Sequence, residues 1–240
     1  KISVSQEIET IDEVYDPYLR RRLTKAIDIF SLGCVFYYVL SGGSHPFGDK
    51  YTREFQIING KKDFKGLKEN MKDKSLVYEA VNILNQLLNH DPSNRPSAEV
   101  VLRHPFFWSK AKKLDFLLKV SDRLEIETRD PPSELLTKLE NRSRRIIPHH
   151  DWCKYLDPEF FENLMKYRKY QKEKVIDLLR AIRNVYHHYN DLPEHIREKM
   201  GSIPNGFYDY FSEKYPHLLM EVHFLINKTI KNENLFEEFF

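Results

Sequence analysis

Residues 178–189 read LLRAIRNVYHHY, and this stretch decides how the second half of the 240-residue chain is interpreted. Its apolar residues recur at three- and four-residue steps, which is typical of one buried helix face. On such a helix Arg180, Asn184 and His188 are four residues apart and share another face. We therefore predict a helix from about Lys172 to Tyr189 that presents an arginine, an amide and a histidine together.

The segment around this helix is strongly basic. Between residues 166 and 183, seven basic residues stand against two acidic ones, which gives a local charge of +5. The basic residues are Lys166, Arg168, Lys169, Lys172, Lys174, Arg180 and Arg183. The whole chain has 38 basic and 36 acidic residues, which excludes a uniformly basic nucleic-acid-binding protein. A focused positive patch suits phosphate groups, and a solvated helix face with salt bridges is the alternative.

The residue types in this patch predict acid–base chemistry on a phosphate. A histidine titrates near neutral pH and can protonate a leaving oxygen. An arginine can hold a phosphate through two donors and stabilise charge in the transition state. His187 and His188 point in different directions on a helix, and no carboxylate or cysteine has a suitable spacing, so we expect no metal site. The two cysteines, Cys34 and Cys153, are too few for a disulfide framework, and we expect Cys34 to be buried.

Helical patterns continue through most of the chain, and strand patterns are weak, so we predict an all-α fold. The expected helices cover about 76–88, 98–102, 110–127, 158–167, 194–200, 207–214 and 216–230, with a further one starting near residue 133. Ser97 is the expected N-cap of the second of these. Residues 141–150 are polar and basic and read as a loop. The longest apolar run, residues 27–40, contains Asp28 and is too short to span a bilayer.

Four motifs in the first half of the chain follow one another in the order of a protein-kinase large lobe. They are DIFSLGC at residues 28–34, HPFG at 45–48, DPSNRPSA at 91–98 and HPFF at 104–107. Together they resemble the second part of that lobe. The glycine-rich loop, the H-R-D-x-x-x-x-N loop and the D-F-G motif of a working kinase are absent from the sequence. The resemblance implies that residues 1–114 are a kinase-lobe remnant that neither binds ATP with magnesium nor transfers phosphate.

Two residues of this remnant have lost their usual kinase surroundings. In kinases, the aspartate at the position of Asp28 bonds the catalytic-loop backbone, and the arginine at the position of Arg95 pairs with the A-P-E glutamate. No clear A-P-E motif precedes Asp28, and Glu7 or Glu9 is the candidate substitute for its glutamate. We expect ordinary buried or half-buried ion pairs at Asp28 and Arg95.

Residues 178–189 also resemble the signature helix of the kinase-extension nuclease family. This family contains the inositol-requiring transmembrane kinase/endoribonucleases of the unfolded protein response and the oligoadenylate-dependent ribonuclease. Neighbouring segments agree: KKLDFLLKVSDRLE at 112–125, DLP at 191–193, GFYDYF at 206–211 and YPHLL at 215–219. The likeness favours the fungal sensor kinases. It implies a helical kinase-extension endoribonuclease domain over residues 115–240.

The resemblance implies a role for each candidate residue. His188 would be the general acid for the 5′-oxygen leaving group, and Tyr170 would help to activate the 2′-hydroxyl. Arg183 would hold the scissile phosphate, and Asn184 would position the substrate. The implied RNA-binding residues are Lys166, Arg168, Lys169, Lys172 and Arg180. The implied reaction uses no metal and leaves 2′,3′-cyclic phosphate and 5′-hydroxyl ends. The family often has a basic residue where Val185 stands, and its loss would weaken the ionic part of RNA affinity.

The resemblance also implies partners and a location. The expected substrate is stem-loop RNA, processed in mRNA splicing or decay, and the expected assembly is a back-to-back homodimer or higher oligomer. The intact family protein binds ATP or ADP with Mg in its kinase domain and lies on the cytosolic face of the endoplasmic reticulum. No cofactor and no membrane segment are expected in this chain. Two alternatives stay open: a non-catalytic pseudokinase-derived scaffold, and a fragment of a serine/threonine kinase whose ATP-binding half is missing.

Overall fold

The computed structural model describes residues 17–240, and Glu7 and Glu9 lie outside the described residues. Within residues 17–240 every regular element is a helix, and the only extended pairing is an isolated bridge between Arg129 and Pro132. The predicted all-α fold is therefore confirmed for this part of the chain. No helix in the same range is long and apolar enough to cross a membrane.

The described part of the chain divides into two compact units. The first contains residues 17–71 and 81–102, and the second contains residues 72–80 and 103–240. The α-helices in chain order are α1 (Pro17–Leu40), α2 (Arg53–Ile58), α3 (Lys65–Asn70), α4 (Lys74–Leu87), α5 (Ala98–Leu102), α6 (Lys110–Glu125), α7 (Glu134–Glu140), α8 (Ser143–Ile146), α9 (Pro158–Tyr167), α10 (Val175–His187), α11 (Glu194–Met200), α12 (Asn205–Lys214) and α13 (Leu218–Thr229). The predicted domain boundary between residues 114 and 115 falls inside α6, which belongs wholly to the second unit.

In the first unit, Arg95 binds backbone carbonyls. Its Nε donates to Asn89 O at 2.8 Å and its Nη1 donates to Ala26 O at 2.9 Å. Its guanidinium lies over the ring of Phe30, 4.7 Å from the ring centre. Among the side chains described in residues 25–240, the ion pairs predicted for Arg95 and Asp28 are not found: carbonyls satisfy the guanidinium, and Asp28 is exposed.

Cys34 is half-buried, so the prediction that it is buried was wrong. Only part of the apolar run of α1 is buried. Ile27 and Val35, which belong to this run, are 58% and 59% exposed. The side of α1 that is buried packs closely against another helix of the first unit. A Cβ at Gly33 would come within 3.0 Å of Leu87 and Leu88, so glycine permits this approach.

The second unit is organised around α6 and α10, which pack against each other in one hydrophobic core. The apolar residues of α10 that were spaced at helical steps are buried, as predicted. The helix is shorter than the predicted 172–189. It begins at Val175 because Lys174 has extended backbone angles, and His188 is the C-cap rather than a helical residue.

The N-terminus of α10 is capped by a carboxylate from α7. Glu140 Oε2 accepts the N–H of Val175 at 3.0 Å, and its Oε1 accepts the N–H of Ile176 at 3.1 Å. Burial raises the pKa of Glu140, and the two N–H groups oppose that rise. The cap therefore comes from a distant part of the chain, which a search for local capping residues cannot detect.

Residues 141–150 are not wholly a loop, as they were predicted to be. They contain α8 and a 3₁₀ turn over Pro148–His150. Ile146 and Ile147 are each 1% exposed, and burying them orders this polar segment. Both predicted helix starts are confirmed, since the Oγ atoms of Ser97 and Ser133 accept N–H groups of the first turns of α5 and α7.

Candidate active site

A surface pocket of about 400 Å³ opens beside the C-terminal end of α10. Its apolar wall consists of Phe160, Leu164, Val185 and Leu192. Its polar residues are Asn163, Arg168, Tyr170, Asn184, His188 and Asp191. The fold thus brings Tyr170, Asn184 and His188, three of the four predicted catalytic residues, into one concave site with Arg168, one of the predicted RNA-binding residues.

A chain of hydrogen bonds holds the predicted catalytic tyrosine. Asn184 Nδ2 donates to the Tyr170 phenol oxygen at 2.9 Å, and Arg183 Nη2 donates to Asn184 Oδ1 at 3.3 Å. The Tyr170 ring is 7% exposed and stands edge-on to Trp152, with ring centres 5.9 Å apart. Packing and the amide therefore fix the phenol oxygen at the pocket, where it can meet a substrate hydroxyl.

Arg183 lies beside the pocket rather than in its lining. Its Nη1 donates to Asp122 Oδ1 at 3.1 Å, and its Nη2 is 3.7 Å from Glu125 Oε2. Both carboxylates come from α6, so α6 orients this guanidinium. The Asp122 side chain is 58% exposed. The Arg183 side chain is itself only 14% exposed, so a bound phosphate would have to displace Asp122 to reach the guanidinium.

His188 stands at the rim of the pocket, where α10 ends. Its backbone N–H donates to Asn184 O at 3.0 Å, and its ring nitrogen Nδ1 is 2.9 Å from Asp191 Oδ2. The other ring nitrogen, Nε2, is left to exchange a proton with a bound molecule. His187 lines a separate depression with Tyr186 and Tyr189, so the two adjacent histidines face different surfaces, as predicted.

Four predicted RNA-binding residues lie at the end of α9 or on the loop between α9 and α10, the segment that contributes Arg168 and Tyr170 to the pocket. These residues are Lys166, Arg168, Lys169 and Lys172, and all are exposed. Within residues 17–240, none of the four has a carboxylate within 4 Å. Their charge is therefore available to an anionic ligand.

Arg180 differs from these four because carboxylates already surround it. Its Nη1 donates to Asp177 Oδ1 at 3.1 Å, and its Nε lies 3.0 Å from Glu125 Oε2 without hydrogen-bond alignment. Asp177 also accepts the N–H of Gln171 at 2.7 Å. Arg180 is therefore held by acidic neighbours in this structure, and its RNA-binding role stays a prediction. Helical spacing predicts which face a residue shares but not which partner it meets.

Several pocket residues were not singled out from the sequence. Asp191 was quoted only as part of a motif, although its three-residue spacing from His188 is a detectable signal. Phe160, Asn163 and Leu164 come from α9, and Leu192 comes from the turn before α11. No local pattern connects those segments to α10. Among residues 17–240, no group of three or more His, Cys, Asp and Glu side chains is placed to hold a metal ion.

Two family models match the chain. The model described as Ribonuclease 2-5A matches residues 113–240, which is more than half of the sequence and includes the whole pocket. The chain belongs to the Ribonuclease 2-5A family. The protein kinase domain model matches residues 13–107 of the same chain. Both resemblances that were drawn from the motifs are thereby confirmed.

This Ribonuclease 2-5A family member is similar to curated proteins of a fungus, an animal and a plant. It is 43% identical over 237 residues to the "Sensor for unfolded proteins in the ER ire1" of Schizosaccharomyces pombe, covering 99% of this chain and 22% of the relative. It is 43% identical over 213 residues to the "Serine/threonine-protein kinase/endoribonuclease IRE2" of Homo sapiens, covering 89% and 22%. For IRE1b of Arabidopsis thaliana the identity is 41% over 215 residues, covering 90% and 24%. The chain spans less than a quarter of the length of these relatives.

Proposed function

We propose that this chain is a metal-independent endoribonuclease that cleaves stem-loop RNA. The observation that carries the proposal is the pocket in which Tyr170, Asn184 and His188 meet beside Arg183, with unneutralised cations at its mouth. Membership of the Ribonuclease 2-5A family supports it. The word endoribonuclease in the printed names of the human and Arabidopsis relatives supports it as well.

The proposed reaction is an attack of an RNA 2′-hydroxyl on the adjacent phosphorus. Tyr170 hydrogen-bonds and orients the 2′-hydroxyl, whose proton passes to a non-bridging phosphoryl oxygen while the 2′-oxygen forms a bond to phosphorus. Arg183 neutralises the charge that develops on the phosphoryl oxygens. The bond from phosphorus to the 5′-oxygen breaks, and His188 donates a proton to that oxygen. The products are a 2′,3′-cyclic phosphate and a 5′-hydroxyl, so no external water or metal takes part in the step.

The pocket suits an unpaired nucleotide rather than a duplex. Its volume of about 400 Å³ and its apolar wall can accept a base that has been turned out of a loop. The exposed cations Lys166, Arg168, Lys169 and Lys172 can follow the neighbouring phosphates. We infer that binding is salt-dependent, because phosphate contacts release counterions.

We also infer the assembly and place of the intact protein. A symmetric back-to-back homodimer or higher oligomer would bring two such sites together. We place the intact protein on the cytosolic face of the endoplasmic reticulum membrane, with a role in splicing or decay of mRNA. The name of the S. pombe relative, a sensor for unfolded proteins in the ER, supports the link to that compartment alone. ATP or ADP with Mg belongs to the kinase domain of the intact protein and enters no step proposed for this chain.

Cleavage of a stem-loop RNA in excess EDTA, with analysis of the new ends, tests this proposal. We expect cleavage to persist in EDTA and the 5′ fragment to end in a 2′,3′-cyclic phosphate. A substrate with a 2′-deoxy group at the cleavage site should resist. Loss of cleavage in EDTA would contradict the metal-independent mechanism. Absence of cleavage at every protein concentration would favour the non-catalytic scaffold.

A further inference from the structure

A second basic surface lies outside the pocket, on residues 144–154. Arg144, Arg145 and Lys154 are exposed there. Arg145 reaches Glu221 only at 3.5 Å, and its side chain remains 71% exposed. Among the described residues, Arg144 and Lys154 have no carboxylate within 4 Å. Three cations of this segment are therefore open to an anionic partner.

Trp152 fastens this segment to the basic loop at the mouth of the pocket. Its backbone N–H donates to Lys172 O at 3.1 Å, and its Nε1 donates to Gln171 O at 3.2 Å. The indole is fully buried and also supports the ring of Tyr170. The two basic segments are thus neighbours on one rigid support that includes a proposed catalytic residue.

Three exposed lysines elsewhere in the second unit are paired with carboxylates and provide a comparison for this surface. Lys110 lies 2.6 Å from Asp209, and Lys138 lies 2.7 Å from Glu134. Lys199 binds Asp157 at 2.9 Å. Arg144 and Lys154 lack such a partner among the described residues, so no neighbouring carboxylate offsets their charge.

We propose that Arg144, Arg145 and Lys154 form a second phosphate-binding surface that holds RNA backbone beyond the cleavage pocket. The proposal rests on the proposed function only in taking RNA as the partner. A pocket for one turned-out base leaves the rest of a stem-loop outside it, and the adjoining cations provide a place for that backbone. Contacts of this kind position RNA without reading its sequence.

The test measures RNA binding in the absence of cleavage. In a His188→Ala background, fluorescence anisotropy gives the affinity for a stem-loop RNA at several salt concentrations. The double substitution Arg144→Ala/Lys154→Ala should weaken binding and reduce the slope of log affinity against log salt by about 1.4 to 1.8, because each lost phosphate contact is worth about 0.7 to 0.9. The matched control, Lys110→Ala/Lys138→Ala, removes the same charge from paired sites and should leave the slope nearly unchanged.

An unchanged slope in the Arg144/Lys154 variant would overturn the proposal, and so would an equal fall in the control. These outcomes do not depend on catalysis. If the chain binds RNA with the expected slopes but never cleaves it, the nuclease proposal fails and the surface stands. If it cleaves RNA and the slope does not change, the surface fails alone.

A separate observation concerns the partner of His188. Asp191 Oδ2 lies 2.9 Å from His188 Nδ1. The backbone holds Asp191 in place, since its N–H donates to His188 O at 3.0 Å and the following Leu192 is buried. Asp191 also lines the pocket. A carboxylate on one ring nitrogen fixes the orientation of an imidazole and the nitrogen that carries its proton.

We infer that Asp191 is a positioning residue that keeps His188 Nε2 directed at the substrate. This inference rests on the proposed role of His188. Asp191→Ala should lower kcat about tenfold with KM unchanged, the lower end of the range for residues that orient a functional histidine, since this pair is exposed. Asp191→Glu should restore part of the rate. Glu194→Ala, which removes an exposed carboxylate from the next helix, is the control.

A second readout does not require activity. Nitrogen-15 NMR of the neutral His188 imidazole should show the proton on Nδ1 in the parent protein and a mixture of tautomers in Asp191→Ala. The same tautomer in both proteins would overturn the inference, as would an unchanged kcat in an active enzyme. An inactive parent with the expected tautomer change would refute the nuclease proposal but not the role of Asp191.

Discussion

Two buried histidines in the second unit should make it sensitive to mild acid. His104 and His223 are 7% and 8% exposed, and their rings are 6.5 Å apart. Burial, with the positive charge of Lys113, lowers the pKa of His104 to about 4. Burial, with His104 nearby, lowers the pKa of His223 to about 3. Both therefore stay neutral in the folded protein at pH 5.

The sign of the effect follows from proton binding. In the unfolded chain both histidines titrate near pH 6.5, so below that pH the unfolded state binds more protons than the folded state. Stability falls as the pH decreases through 6.5, and it continues to fall until about pH 4 for His104 and about pH 3 for His223. Between pH 7 and pH 5 each histidine removes about 2 kcal/mol, and the two together remove about 4 kcal/mol.

The substitution His104→Asn isolates half of this loss. Nδ1 of His104 accepts the N–H of Phe106 at 3.1 Å, and an asparagine oxygen can accept the same N–H without titrating. Urea unfolding at pH 7 and pH 5 gives the two free energies. The fluorescence of Trp108 and Trp152 is a suitable probe, since both tryptophans of the chain lie in the second unit.

We expect the loss between pH 7 and pH 5 to fall to about 2 kcal/mol in His104→Asn. The exposed His187 provides the control, because His187→Asn should keep the full loss of the parent protein. An equal loss in His104→Asn and the parent would refute the reasoning. It would show that His104 takes up its proton in the folded state.

Three further predictions follow from single contacts. Tyr170→Phe removes the oxygen that accepts from Asn184, so kcat for RNA cleavage should fall about 100-fold in single-turnover assays, with an unchanged circular dichroism spectrum. Glu140→Ala leaves two N–H groups of α10 without an acceptor and should lower the free energy of unfolding in urea by about 2–4 kcal/mol. Lys113→Met leaves the buried Glu79 carboxylate, whose Oε2 lies 2.6 Å from Lys113 Nζ, without a partner. It should lower the free energy of unfolding by about 3–5 kcal/mol, and adding Glu79→Gln should recover part of that loss.

Each of these predictions has a result that would contradict it. An unchanged kcat in Tyr170→Phe would remove the phenol from the mechanism. Unfolding of Glu140→Ala at the parent's urea concentration would mean that water caps α10 as well as the carboxylate does. Failure of Glu79→Gln to recover stability would mean that the cost of Lys113→Met comes from packing and not from a stranded charge.

The helical fold could be predicted because its elements are locally encoded. The spacing of apolar residues in 178–189 is sufficient to identify α10, since that helix buries one continuous face. The same spacing placed Asn184 and His188 together. The ends of α10 could not be predicted, because the Glu140 cap comes from α7 and no residue next to Val175 marks the start.

The positions of the site residues could be predicted only where helical spacing determines them or where the family resemblance implies them. Tyr170 reaches the pocket because Trp152 and Asp177 hold the loop that precedes α10, and neither contact is visible in a linear pattern. A long-range contact also surrounds Arg180, since its Nε lies 3.0 Å from Glu125 Oε2 on α6. Charge and spacing show where cations are, but tertiary partners decide which of them remain free.

The most direct test of the central claim compares adjacent histidines that face different surfaces. Initial rates of stem-loop RNA cleavage in excess EDTA would be measured for the parent protein, His188→Ala and His187→Ala. The proposed mechanism predicts that His187→Ala keeps the parent rate and that His188→Ala loses about 10²- to 10⁴-fold, the usual contribution of a general acid. Retention of the parent rate by His188→Ala, or equal losses in both variants, would contradict the assignment of His188 as the acid.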